Sequence, residues 1–276
     1  MSMTEGGERA GTFITTKEHR RFTEFAEAVR KHRYIGLCHG AAGVGKTLSA
    51  QRYAHWDVVG HLIENWKRPD PLQAKINAAL ASSRTVFHTP TVLGTLRDLR
   101  DTLDEQVTRA ELCIDDHLHR DVKGCRVVGG EPLVEMLIFD EAERLSMTAL
   151  ELIRDRFDRT GVGVILIGMP GMEKRLSRYP QLYSRVGFAY HYRPLQADEL
   201  TFVLTRHWRQ FGLTLDDADF TDAQAMASIS RITGGNFRLL QRLFVQIARI
   251  LKINDLSAIT DDVVEAARRT LVIGTT

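Results

Sequence analysis

The chain has 276 residues, 43% of them hydrophobic and 26% charged, with a formal net charge of +2. That composition is ordinary for a globular protein and supplies a core for one large domain or two smaller ones, which excludes a fibrous or wholly disordered chain. No uninterrupted apolar run approaches the roughly 20 residues of a membrane span, so no membrane partner is expected, and the balanced charge neither demands nor excludes nucleic acid.

Residues 1–11 are small, polar and glycine-rich and lack the apolar centre of a signal peptide. They are expected to form a disordered tail on a cytoplasmic protein. Cys38, Cys113 and Cys125 show neither close pairing nor metal-ligand spacing, so they are expected to be reduced, with Cys38 in the core. Residues 13–31 predict a helix, with Phe22, Phe25, Ala26 and Val29 at helical spacing. A short apolar strand follows, Tyr34-Ile35-Gly36-Leu37-Cys38.

The next stretch, Gly40-Ala41-Ala42-Gly43-Val44-Gly45-Lys46-Thr47, fits GxxxxGK[ST] at every fixed position, and Leu48 opens a segment that reads as a helix to Trp56. Strand, glycine loop and helix in that order mark a phosphate-binding loop. Glycines let successive N–H groups turn inward onto phosphate oxygens, and the new helix adds its positive end. Lys46 can then reach the outer phosphates, while the Thr47 hydroxyl can ligate magnesium.

Residues 57–83, which contain Pro69, Asp70 and Pro71, predict a loop and one short helix. A second strand is expected at 85–89, closed by Pro90. A helix should follow at 91–108, with Leu93, Leu96, Leu99 and Leu103 on one side. The third strand, 134–139, ends in Asp140. Leu150, Ile153 and Phe157 mark another helix, 162–167 is a fourth strand, and Pro170 suits the first position of a helix. A fifth strand is expected at 188–192. Lys174, Arg175, Arg178, Arg185 and Arg193 make this region locally basic, which is the usual composition of a solvated face. Beyond Arg193 the segments 195–211, 222–232, 236–252 and 260–271 are all helical in pattern, with Thr260 an N-cap ahead of Asp261 and Asp262. Alternating strands and helices imply a parallel sheet between helical layers, here an α/β domain over 12–193 followed by an all-helical one over 194–276.

Met136-Leu137-Ile138-Phe139-Asp140-Glu141 delivers two acids at the C-terminal end of an apolar strand, the edge at which open α/β sheets bind ligands. Asp140 suits magnesium held through water, and Glu141 suits a general base for an attacking water. Asp140-Glu141-Ala142-Glu143 also resembles the box of helicases, but no segment after Arg193 builds the second sheet domain that those enzymes need. The scattered histidines, including His117 and His119 beside Asp115 and Asp116, suggest no metal site.

These features together resemble an AAA+ ATPase: a phosphate loop, an Asp-Glu strand end, five parallel strands and a helical lid. More narrowly the chain is similar to the TniB/TnsC/MuB (IstB-related) transposition ATPases. The supporting segments are VEMLIFDEAERL (134–145), VILIGMPGMEKRLSRY (164–179) and TGGNFRLL (233–240), the middle one pointing most narrowly at that group. The resemblance implies ATP and Mg2+ as cofactors and a nucleotide site formed by Gly40, Ala41, Ala42, Gly43, Val44, Gly45, Lys46, Thr47, Leu48 and Asp140. Lys46, Glu141 and Arg185 would be catalytic, Arg185 acting as an arginine finger toward a neighbouring subunit with Arg178 as the alternative. Arg238, at the start of a lid helix, would contact the outer phosphates. Met169, at the tip of the fourth strand where the family commonly places a polar residue, cannot orient water, which implies either that a neighbour supplies the group or that turnover is slow. The resemblance further implies a homo-oligomeric ring or filament on double-stranded DNA, contacts from Thr91, Thr95, Arg97, Arg100 and Arg109, and a transposase partner with, in addition, a target selector. A helicase loader or replication initiator, or an ATP-switched signalling module, are the alternative readings.

Overall fold

The structure, a computed structural model, describes residues 13–67, 70–118, 132–216 and 218–271. The expected disordered tail, Cys125 and His119 lie outside the described residues. The elements run α1 (Lys17–His32), β1 (Ile35–His39), α2 (Lys46–Tyr53), α3 (Trp56–Glu64), α4 (Gln73–Ser83), β2 (Thr85–His88) and α5 (Leu96–Leu118). They continue with β3 (Met136–Phe139), a 3-10 turn at Ala142–Arg144, α6 (Met147–Thr160), β4 (Gly163–Gly168), α7 (Met172–Leu176), α8 (Pro180–Tyr183) and β5 (Val186–His191). Among the described residues four helices follow: α9 (Ala197–Gln210), α10 (Phe220–Thr233), α11 (Phe237–Ile253) and α12 (Asp261–Arg269).

The five strands form one parallel sheet in the order β2-β3-β4-β1-β5, as expected of the α/β class. β2, β3 and β4 are buried at every position, the signature of a sheet covered on both faces, whereas β5 alternates as an edge strand. The first helix packs by its Phe22, Ala26 and Val29 stripe. One hydrophobic cluster runs from Phe22 through the sheet to Tyr192; a second, centred on Trp208, Leu240, Leu243 and Ile247, belongs to the last four helices. Among the described residues no helix is long and apolar enough to cross a membrane.

Local chemistry moved several boundaries. The first helix begins at Lys17 rather than 13 because the Thr16 hydroxyl accepts the His19 N–H and caps it. The segment after the phosphate loop breaks at His55, which adopts φ 52°, and α3 starts there; residues 57–83 hold most of α3 and all of α4, not one short helix. The helix predicted at 91–108 begins at Leu96. Thr95 and Asp98 cap it reciprocally, the Thr95 Oγ1 accepting from Asp98 N at 3.1 Å and Asp98 Oδ2 from Thr95 N at 2.9 Å. Leu93 is therefore left in a turn and 94% exposed, and the buried side of α5 is Leu103, Gln106, Ala110, Cys113 and Ile114. Pro170 precedes its helix: Gly171, at φ 94°, is the cap and Met172 the first helical residue.

Candidate functional site

β1 and β3 both open on the C-terminal edge of the sheet with β4 between them, so the loop after β1 faces the acids after β3. The loop curls because Gly43 and Gly45 hold φ of 78° and 113°, a region that other residues enter only with strain. Val44 is buried in the core and anchors the loop from behind. Lys46 opens α2 and is buried; its Nζ donates to the Gly40 and Ala41 carbonyls, both at 2.7 Å. Burial holds the ammonium below the usual lysine range, and the nearby Arg238 adds to that shift.

Thr47 Oγ1 donates to Asp140 Oδ2 at 2.7 Å, closing the gap between the two halves of the site. Asp140 is buried, and burial raises its pKa against the pull of the Thr47 bond. A hydroxyl and one carboxylate side by side form an oxygen donor set of the kind that takes Mg2+ together with phosphate oxygens and water. Glu141 adopts φ 49° and forms an ion pair with Arg144, whose Nη1 donates to the Pro90 carbonyl at 3.1 Å. The acid expected to be a general base is thus clamped by a residue of its own turn.

The lid helix α11 sits directly on the loop. Arg238 N donates to the Gly43 carbonyl at 3.0 Å, and Asn236 Nδ2 to the Ala42 carbonyl at 2.7 Å. Asn236 also caps α11, its Oδ1 accepting from Arg238 N and Leu239 N. A Cβ added to Gly43 would stand 2.6 Å from Asn236 Oδ1 and 2.8 Å from Arg238 Cβ, so glycine is required here by close approach as well as by φ. Between loop, strand ends and lid lies a cavity of about 490 Å³. Ala42, Gly43, Gly45, Lys46, Thr47, Leu48, Asp140, Glu141 and Arg238 line it, whereas Gly40, Ala41 and Val44 stand outside the lining. A cradle of curled loop backbone, one buried amine and the Thr47–Asp140 pair fits a triphosphate with Mg2+.

Sequence reasoning missed Glu143, Asn236 and Gln241, which also border the site. Asn236 carried a signal, as an Asn between a Gly-Gly turn and a helix, and Glu143 one as the last residue of the acidic Asp140-Glu141-Ala142-Glu143 run. Met169 lines the cavity at the tip of β4 and is half-exposed.

Arg185 stands at the N-terminal end of β5, beside the start of β1, at the opposite edge of the sheet from the loop. It is held bidentately by Asp158, Nε to Oδ1 at 2.6 Å and Nη2 to Oδ2 at 2.8 Å, and its Nη1 donates to the Gln181 carbonyl. Arg178 is exposed and makes no side-chain hydrogen bond or ion pair among the described residues. Nor is the basic run solvated throughout, because Arg175 donates to the Glu143 and Leu145 carbonyls. Of the expected DNA contacts, Thr91 lies exposed in the turn after β2, Thr95 caps α5, and Arg97 and Arg100 pair with Asp101. Arg109 donates through Nη1 to the Ile63 and Glu64 carbonyls and through Nη2 to Glu105.

A five-stranded parallel sheet, a glycine loop followed by Lys-Thr, an acidic strand end and a helical region seated on the loop define a P-loop ATPase domain of the AAA type. Residues 29–176 match the AAA domain family, and the chain belongs to it. It is 40% identical over 267 residues to a potential ATP-binding protein of Staphylococcus aureus, covering 95% of this chain and 97% of that one. Similar folds include the Thermotoga maritima RuvB Holliday junction branch migration motor, with a TM-score of 0.57 and 18% identity over 94% of this chain and 70% of that one. The ADP form of the Aeropyrum pernix ORC2 protein gives a TM-score of 0.55 and 12% identity over the same shares, 94% and 70%.

Proposed function

We propose that this chain is an ATP-dependent, DNA-binding AAA+ ATPase that assembles on duplex DNA and acts as a target-selecting, transposase-activating adaptor, with hydrolysis driving disassembly. The observation that carries the reading is the lid helix bonded through Asn236 and Arg238 to the phosphate loop, because it couples the state of the nucleotide site to the shape of the molecule. The break between the two hydrophobic clusters, near Arg193, is read as the boundary between nucleotide-binding domain and lid.

In this reading Lys46 leaves its own loop carbonyls to bind the outer phosphates, and the loop N–H groups cradle them. Thr47 and Asp140 would hold Mg2+, which when bound supplies charge neutralisation between the outer phosphates. Glu141 orients and deprotonates water once Arg144 releases it. Arg238 senses the outer phosphates from within the chain. Arg185 lies at the far edge of its own sheet, so it serves a neighbouring copy's site after leaving Asp158. The transposition role rests on the similarity of residues 164–179 to that group, and the DNA role is supported by a fold neighbour that is a Holliday junction branch migration motor.

A slowly hydrolysing ATP switch is the second reading, favoured by the Glu141–Arg144 clamp and by Met169. Electron microscopy of the protein with an ATP analogue and duplex DNA separates the two: continuous decoration of the duplex supports the adaptor, whereas monomers or DNA-free particles overturn it.

A further inference from the structure

The helix that begins at the nucleotide site, α11, contains Arg238, Arg242, Arg249 and Lys252 and no acid among its 17 residues. All four are exposed. At 100° per residue they fall within an arc of about 80°, in a stripe about 21 Å long. The opposite face, Leu240, Leu243, Phe244, Ile247 and Leu251, is buried in the lid core, so the stripe has one outward orientation. None of the four makes a side-chain hydrogen bond or ion pair among the described residues. On α5, α6 and α12 arginines stand beside acids, Arg97 with Asp101, Arg109 with Glu105, Arg154 with Glu151, Arg159 with Asp155 and Arg268 with Glu265, whereas Arg206 and Arg209 of α9 have no such partner among the described residues. A solvated face built for stability or solubility mixes signs in that way. A run of like charge at i, i+4 and i, i+3 costs the isolated helix stability instead, and it suits a polyanion.

We infer that the outer face of α11 is a phosphate-backbone contact for duplex DNA, with Arg242, Arg249 and Lys252 each facing a phosphate and Arg238 joining the stripe to the nucleotide site. The inference rests on the DNA-binding reading above and gives it a place on the lid. Cations without counter-ions, spread over the length of about six base-pair rises, match one phosphate strand and carry no base-reading geometry. Because Asn236 and Arg238 tie the first turn of the same helix to Ala42 and Gly43, movement of the lid at the phosphate loop moves the stripe with it.

The test replaces Arg242, Arg249 and Lys252 together by Gln, leaving Arg238 untouched. Gln keeps helix propensity, so unfolding temperature and ATP affinity should match the wild type. Binding to a short labelled duplex of arbitrary sequence is read by anisotropy with ATP and magnesium, between about 50 and 200 mM salt. Loss of three phosphate contacts should flatten the slope of log affinity against log salt by about 2 to 3 and weaken binding roughly a hundredfold at 0.1 M. A wild type that binds while the triple variant keeps its slope and affinity overturns the inference alone. A wild type that does not bind the duplex sinks the DNA reading, and the inference with it. A variant that loses self-association in sedimentation but binds DNA as before shows that a second copy covers the stripe, which also overturns it.

Discussion

Replacing Gly43 by alanine tests whether the lid is seated on the phosphate loop. Two costs add. The backbone holds φ 78°, and a left-handed alanine costs about 1–2 kcal/mol. The new Cβ would also meet Asn236 Oδ1 at 2.6 Å and Arg238 Cβ at 2.8 Å, so loop and lid must part. Parting loses the Arg238 N–Gly43 O and Asn236 Nδ2–Ala42 O bonds, at about 0.5–1.5 kcal/mol each. Gly171 supplies the matched control: its φ is 94° and nothing lies within 4 Å of its added Cβ, so alanine there carries the conformational cost without the clash. The nucleotide-free Gly43→Ala protein should therefore be less stable than Gly171→Ala by about 1–3 kcal/mol, read from urea midpoints at a common slope. Its ATP affinity should fall at least about tenfold while Gly171→Ala stays within about twofold of wild type. Equal midpoints for the two variants without nucleotide would refute the lid–loop contact, whatever happened to ATP binding.

Lys46→Ala should weaken ATP binding by about a hundredfold or more, measured by calorimetry, since charge-assisted phosphate bonds of about 1.5–3 kcal/mol are lost. Glu141→Gln should bind ATP normally and release no phosphate, whereas Arg144→Ala should raise turnover by about two- to fivefold, because an exposed pair of about 0.2–1 kcal/mol no longer restrains Glu141; a slower Arg144→Ala enzyme would argue against the clamp. Arg185→Ala should cut assembled-state hydrolysis by about a thousandfold, not restored by raising its concentration, and mixing with Lys46→Ala should return part of it. Burial depresses the pKa of His88 and of His207 below the usual 6.5, so the unfolded chain binds more protons than the folded one below that pH. Stability should accordingly be complete well above pH 6.5 and decline as pH falls through it; His88→Gln should reduce that decline in urea midpoints, and an unchanged slope would count against a neutral buried His88.

What was legible in the chain was what depends on near neighbours. Strands buried on both faces are continuous apolar runs, the phosphate loop is a contiguous motif, and the lid helices show their stripe within one window. Boundaries set by a single side chain were not legible: Thr16 and Thr95 each compete with the residues before them for the start of a helix, and only the formed cap decides. The break at His55 has no glycine or proline to announce it. The contacts that shape the site are farther apart still. Asn236 and Ala42 are 194 residues apart and Arg185 and Asp158 are 27, so no local pattern reports that the lid is bonded to the loop or that the expected finger is already held.

Those two held groups explain one another. In the single chain Glu141 is paired with Arg144 and Arg185 with Asp158. Both pairs are partly open to solvent, where water and salt screen the attraction and long side chains lose entropy by staying together. Giving up the Glu141–Arg144 pair costs about 1 kcal/mol at most, a cost that the proposed association of copies would readily offset. On the proposed assembly-dependent mechanism, restraints this weak would hold each group in an isolated chain and yield when copies associate. Had either pair been buried, breaking it would leave an uncompensated charge costing several kcal/mol, and neighbours would trap the site rather than complete it.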